Sequence, residues 1–217
     1  MRRLLFSVFL LGGLSFALAA LPVCGQQKRQ QSEIVINKAP LRDFAETVRQ
    51  LDEMKRVDWT KPFSVEAEGV LTKAGKLTQA RIVKTGGDKE LVEIAQKGIA
   101  AIADSGWLGY LSSQGVEKIK FVIEQTSETF SFTIVSEYPT PERSRTVAAG
   151  LNGIIAGVLQ FDKNETNKLG DDERTLLSNT KVTASEKTAN INISMPAGEF
   201  REMIRRRLKE PRKEPNG

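Results

Sequence analysis

Few side chains in this 217-residue chain have the types and spacing that catalysis requires. The chain has no histidine, and its one cysteine, Cys24, lies near the N-terminus. A Ser-His-Asp triad, a Cys-His dyad, a zinc site built from thiolates and a haem held by histidine are therefore excluded. We expect a protein that is not an enzyme and that needs no cofactor.

The remaining pairs of reactive side chains lack catalytic spacing. Glu66 and Glu68 stand two residues apart in a predicted strand, so both point to the same face and are expected to be solvated. The serines at 112–113 and the lysines at 118 and 120 match no nucleophile motif. An enzyme that uses carboxylates or a Ser/Lys pair is the least favoured alternative.

One acidic cluster has side chains that suit an all-oxygen Ca²⁺ or Mg²⁺ site. Its members are Asp162, Glu165, Asp171, Asp172 and Glu173. They lack the alternating acidic positions and the closing glutamate of an EF-hand loop. We predict an ordinary polar loop or broken helix here, with no metal.

A basic cluster near the C-terminus is the candidate binding surface. Arg205, Arg206, Arg207 and Lys209 are the residues that we expect to contact an anionic surface, such as lipid, if the cluster has a partner. A solvated helix end is the simpler alternative. The formal net charge of the whole chain is only +5, which does not indicate nucleic-acid binding.

The first 25 residues have the three parts of a secretory signal peptide. Arg2 and Arg3 precede an apolar run over 4–21, and Val23 and Gly25 supply the small residues of a cleavage site. We predict cleavage after Gly25 and a periplasmic or secreted protein.

Two other interpretations of this segment remain open. Cys24 would be acylated in a lipoprotein, although Pro22 and Val23 are unusual residues before such a cysteine. The apolar run is also just long enough for an uncleaved membrane anchor, which needs about 20 residues.

Hydrophobic periodicity predicts four helices that alternate with three β-hairpins. Apolar residues at helical spacing, such as Leu41, Phe44 and Val48, give way to alternation from Phe63 onward. Hairpins impose antiparallel pairing, and strands with one apolar face need one covered side. The predicted fold class is α+β: a two-layer sandwich with a mainly antiparallel sheet of about six strands and helices on one face.

The predicted domain organisation follows from this pattern. Residues 26–62 form a polar segment and an N-terminal amphipathic helix, and residues 63–209 form a single domain. Its halves, 63–126 and 127–209, share the sheet through the third and fourth strands. Residues 210–217 form a disordered basic tail.

Residues 63–124 resemble a known family. Gly69-Val70, Ala74-Gly75-Lys76-Leu77, Ala80-Arg81-Ile82-Val83 and the Thr85-Gly86-Gly87-Asp88 break before a helix are similar to the C-terminal domain of TonB and its TolA-like relatives. The resemblance implies a non-catalytic periplasmic module that binds a protein partner by strand addition. The expected partner is therefore an envelope protein. Association with the envelope surface through the basic C-terminal helix, with peripheral membrane contact, is the alternative.

Overall fold

The computed structural model of the protein describes residues 37–72, 74–163 and 169–209. These residues form six strands and six helices. The strands are β1 (Phe63–Leu71), β2 (Leu77–Gly87), β3 (Lys118–Gln125), β4 (Thr129–Glu137), β5 (Thr180–Ser185) and β6 (Thr188–Pro196). The helices are α1 (Ala39–Glu53), α2 (Lys89–Asp104), α3 (Gly109–Ser113), α4 (Pro141–Lys163), α5 (Asp171–Ser178) and α6 (Ala197–Lys209). The predicted signal peptide, its alternatives and the basic tail lie outside the described residues.

All six strands form one antiparallel sheet in the order β2-β1-β3-β4-β6-β5. β3 and β4 occupy the centre, where Phe121 of β3 stands opposite Ile134 of β4. The sheet therefore continues across both halves of the sequence. The α+β fold class and the antiparallel sheet are confirmed.

The two faces of the sheet differ sharply in polarity. One row of residues that pair across four strands is buried: Val65, Ile123, Phe132 and Ile193. The next row carries Glu66, Val122, Thr133 and Asn192, which are only partly buried. Because side chains alternate along a strand, the first row faces the helices and the second faces solvent.

Helix α2 begins where its sequence predicts, because Asp88 caps it. One side-chain oxygen of Asp88 accepts hydrogen bonds from the backbone N–H groups of Glu90 (3.1 Å) and Leu91 (3.2 Å). The preceding Gly87 has φ +84° and lies directly against the backbone of Pro62, so a side chain there would be strained and crowded. Ile99 of this helix is buried, as expected from its position in the apolar stripe.

Helix α4 confirms one expectation and corrects another. Leu151 is buried, as predicted. Gly150, Gly153 and Gly157 lie among the apolar residues of this helix, and their position predicts close packing of α4 on the sheet. That expectation is wrong, because a Cβ added at any of the three would meet no atom within 4 Å.

The segment before β5 also differs from its prediction. The sequence predicts a loop or broken helix over 162–173 and a strand of roughly 177–184 after it. In the structure, 171–178 is helical and Leu177 is buried in that helix. Asp171, Asp172 and Glu173 occupy the first turn, where carboxylates favour a helix electrostatically. The Thr180 hydroxyl donates to the carbonyl of Leu176 at 2.7 Å, at the point where the chain changes to strand.

None of the described helices is long and apolar enough to cross a membrane.

Candidate functional site

Arg207, one of the predicted surface cations, is largely buried against two carboxylates. Its Nε lies 2.7 Å from Asp172 Oδ2, and its Nη2 lies 3.0 Å from Glu173 Oε1. The side chains of Arg207, Asp172 and Glu173 are 17%, 9% and 5% exposed. The guanidinium therefore joins α6 to α5.

Arg206 binds the same pair of helices from a more exposed position. Its Nη2 lies 2.6 Å from Asp172 Oδ1, while its side chain remains 54% exposed. The hydrogen bond to Asp172 raises the pKa of Arg206, so its cationic form is reinforced. Two arginines and two carboxylates thus compensate one another locally.

Arg205 and Lys209 are the members of the predicted cluster for which no contact with α5 is seen among the described residues. Arg205 pairs with Glu202 one turn earlier at 2.9 Å, and both side chains are more than half exposed. Such exposed pairs contribute little to stability. Lys209 is exposed at the end of α6. Contact with an anionic surface therefore stays a prediction, and Arg205, Arg206 and Lys209 are the exposed residues of the cluster.

The acidic cluster is a set of partners for arginine. Arg174 Nε lies 2.8 Å from Asp162 Oδ2, and Asp162 Oδ1 accepts a 2.6 Å hydrogen bond from the Leu169 N–H. Glu165 lies outside the described residues. Among the residues that are described, no group of three or more His, Cys, Asp or Glu side chains could hold a metal ion. No local sequence signal predicts the pairing of 171–173 with 205–207, because the two runs lie 34 positions apart.

Strand β2 lies at one edge of the sheet. It is eleven residues long and has β1 on one side, and no described strand lies on its other side. Nearly every side chain along it is exposed. Two of these are large and apolar, with Ile82 45% and Val83 48% exposed. An unpaired strand beside exposed apolar side chains is a ready template for another strand.

Local irregularity shapes this edge. The register between β1 and β2 shifts between Glu66 and Ala67, which leaves Val83 without a partner on β1. A second shift follows between Glu68 and Val70, and Gln79 nearby has φ +52°. Bulges of this kind twist an edge strand and limit pairing with random partners. The regular stretch 84–87 and the two apolar side chains are not covered by any strand that the structure describes.

The opposite edge of the sheet is less open. β5 has only six residues, and α4 packs along it. The side chain of Asn152 in α4 donates from Nδ2 to the carbonyl of Val182 at 2.9 Å. One backbone acceptor of β5 is therefore already occupied, so β2 is the better candidate for pairing.

No protein-family model, no curated protein and no solved structure matches this chain. The interpretation of the β2 edge therefore rests on its geometry.

Proposed function

We propose that the protein is an exported, non-catalytic module that binds a protein partner by accepting one of its strands along β2. The observation that carries the proposal is the outer edge of β2, which pairs with no described strand and has Ile82 and Val83 exposed beside it. Strand addition joins the two backbones by hydrogen bonds, and alternate side chains supply specificity.

The arrangement of the sheet supports β2 over the other strands of the TonB-like segment. β1 lies between β2 and β3, and β3 pairs with β4 on its other side. Only β2 among these three strands has an unpaired edge in the described structure. A partner strand that binds to this segment is therefore expected to lie alongside β2.

The alternative, association with an anionic surface, has weaker support. Arg206 and Arg207 already bind Asp172 and Glu173. Their charges are compensated before any lipid or polymer approaches. Protein binding through the edge of β2 is thus the better-supported function.

The experiment compares capture of a partner from envelope extracts by the parent protein and by edge variants. Ile82→Lys and Val83→Lys place a charge at the edge and are expected to abolish capture, since a charged side chain at an edge discourages strand pairing. Met54→Lys is the matched control, because Met54 is also apolar and 63% exposed but lies just after α1.

Amide hydrogen exchange then locates the contact on the protein. The captured partner is expected to slow exchange of β2 amides and to leave β5 unchanged. Capture that survives both edge substitutions, or protection that falls on β5 alone, would rule out β2 as the binding edge.

A further inference from the structure

An apolar cavity of about 130 Å³ lies between the sheet and helices α1, α2 and α6. Six aromatic side chains of the described residues line it: Phe44, Trp59, Phe63, Phe130, Phe132 and Phe200. An apolar cavity of about 150 Å³ holds one benzene ring. The space therefore suits a single ring or an apolar group of similar size.

Hydrogen bonds and ring stacking hold the aromatic lining in place. The indole Nε1 of Trp59 donates a hydrogen bond to Asp52 Oδ1 at 2.8 Å. The backbone carbonyl of Trp59 accepts one from Gln125 Nε2, also at 2.8 Å. The rings of Phe130 and Phe200 stack with centroids 3.5 Å apart and planes 5° from parallel. A ligand would enter a site that is largely formed in advance, as is usual for small-molecule pockets.

Arg49 gives this apolar cavity a positively charged group. Its side chain belongs to the lining, and its Nε is buried without a hydrogen-bond partner in the described structure. A guanidinium stays protonated in proteins, and a buried donor without an acceptor is costly. The cavity wall therefore contains a positive charge and a donor that has no acceptor among the described residues.

The second arginine of the lining, Arg207, does not offer the same charge. Its guanidinium binds Asp172 and Glu173, which offset it. No described carboxylate forms a salt bridge with Arg49. Of the two arginines in the lining, Arg49 is thus the one whose charge no described carboxylate offsets.

We propose that this cavity binds a small aromatic carboxylate, with its ring among the six aromatic side chains and its carboxylate hydrogen-bonded to Arg49. An aromatic ring fits the lining, because edge-to-face and offset-stacked contacts add to the gain from burial. A carboxylate matches the planar guanidinium and forms charge-assisted hydrogen bonds with it. The proposal is independent of strand binding at β2, which lies at the edge of the sheet.

Calorimetric titration of the purified full chain with phenylacetate and with neutral phenylacetamide tests the charge. The two probes differ little in size, so the acid is expected to bind at least about tenfold more tightly, which corresponds to about 1.4 kcal/mol. The binding should be saturable, with one site per chain.

Three variants separate the ring site from the charge site. Arg49→Gln is expected to weaken phenylacetate by about tenfold or more and to leave phenylacetamide unchanged. Arg42→Gln, on the same helix but 63% exposed and outside the lining, is the matched control and should bind like the parent. Ala45→Phe fills the cavity and should abolish binding of both probes.

Arg49→Lys covers the case in which the glutamine variant does not fold. Lysine keeps the charge but lacks the planar fork of donors, so it should bind phenylacetate more weakly than arginine does. If the parent protein shows no saturable binding up to about 10 mM phenylacetate, the proposal is overturned. Equal affinity for the acid and the amide would do the same.

Discussion

The role of Arg207 as a link between α6 and α5 depends on its surroundings, because other arginines of α6 have different contacts. It contacts two buried carboxylates of α5, whereas Arg205 reaches Glu202 across exposed helix surface. Consecutive helical residues point about 100° apart, so adjacent arginines meet different environments. At this scale, the same residue type is a structural link in one position and a solvated charge in another.

Removing the charge of Arg207 is therefore expected to destabilise the fold strongly. Arg207→Gln leaves Asp172 and Glu173 with less compensation in a buried setting, and breaking such a pair costs about 3–5 kcal/mol. Arg205→Gln is the matched control and should cost less than about 0.5 kcal/mol. Urea denaturation of both variants measures the difference. Equal losses of unfolding free energy in the two variants would contradict the assigned role of Arg207.

The stability of helix α2 depends on Asp88, the residue that caps its N-terminus. Burial alone would raise the pKa of Asp88, but hydrogen bonds from the Leu91 N–H and from Lys61 outweigh it and lower the pKa. The Lys61 ammonium lies 3.2 Å from Asp88 Oδ2. The cap therefore acts as a carboxylate, and its contribution depends on pH.

Asp88→Ala should cost about 1 kcal/mol of unfolding free energy at neutral pH. Because the pKa is lower in the folded state, the stabilisation is fully present above the unfolded value of about 3.9 and is lost as the pH falls through the folded pKa. The difference between the parent and the variant should therefore shrink as the pH drops below about 4. Denaturation curves between neutral and acid pH measure it. A difference that grows on acidification would mean that the protonated side chain is the better cap.

Helix α4 carries glycines that serve no packing role in the described structure. Glycine inside a helix costs about 0.5–1 kcal/mol relative to alanine, and an added methyl group at Gly150 or Gly153 meets open space. Gly150→Ala and Gly153→Ala should each raise the unfolding free energy by about that amount, measured by chemical denaturation.

Gly98 of α2 is the matched control for these substitutions. A Cβ there would lie 3.1 Å from the ring of Phe44, so the neighbouring ring must shift. Gly98→Ala is expected to gain less than the α4 variants or to lose stability. An equal gain at all three positions would indicate that helix propensity outweighs packing throughout.

At the scale of the whole molecule, the proposed function depends on export, and the predicted signal peptide supports export. Arg2, Arg3, the apolar run and the Val23-x-Gly25 pattern predict a chain that begins at Gln26 after secretion. Intact-mass measurement of the protein from an exporting host checks this. A mass that retains Met1, or one increased by lipid on Cys24, would replace the soluble exported form with an anchored one.

The sheet and four of the six described helices, α1, α2, α4 and α6, were predictable from the sequence because their signals are local. Alternation in the stretches around Phe121 and Ile193 and helical spacing around Ile99 and Leu151 mark the buried faces, and all four residues are buried. Paired hairpins with one apolar face leave few arrangements other than a covered antiparallel sheet. Element boundaries were less reliable, because the helix that begins at the acidic residues 171–173 includes Leu177, which was predicted to begin a strand.

Tertiary packing alone decided which distant groups meet. Arg206 and Asp172 stand 34 positions apart in the sequence, and nothing in their local patterns indicates that they are partners. The free edge at β2 required the strand order, because each hairpin is compatible with several neighbours. The cavity beside Arg49 likewise required three helices to meet over the sheet. Local periodicity determines which side of an element is buried, whereas the meeting of charges and the shape of a cavity depend on the relative placement of whole elements.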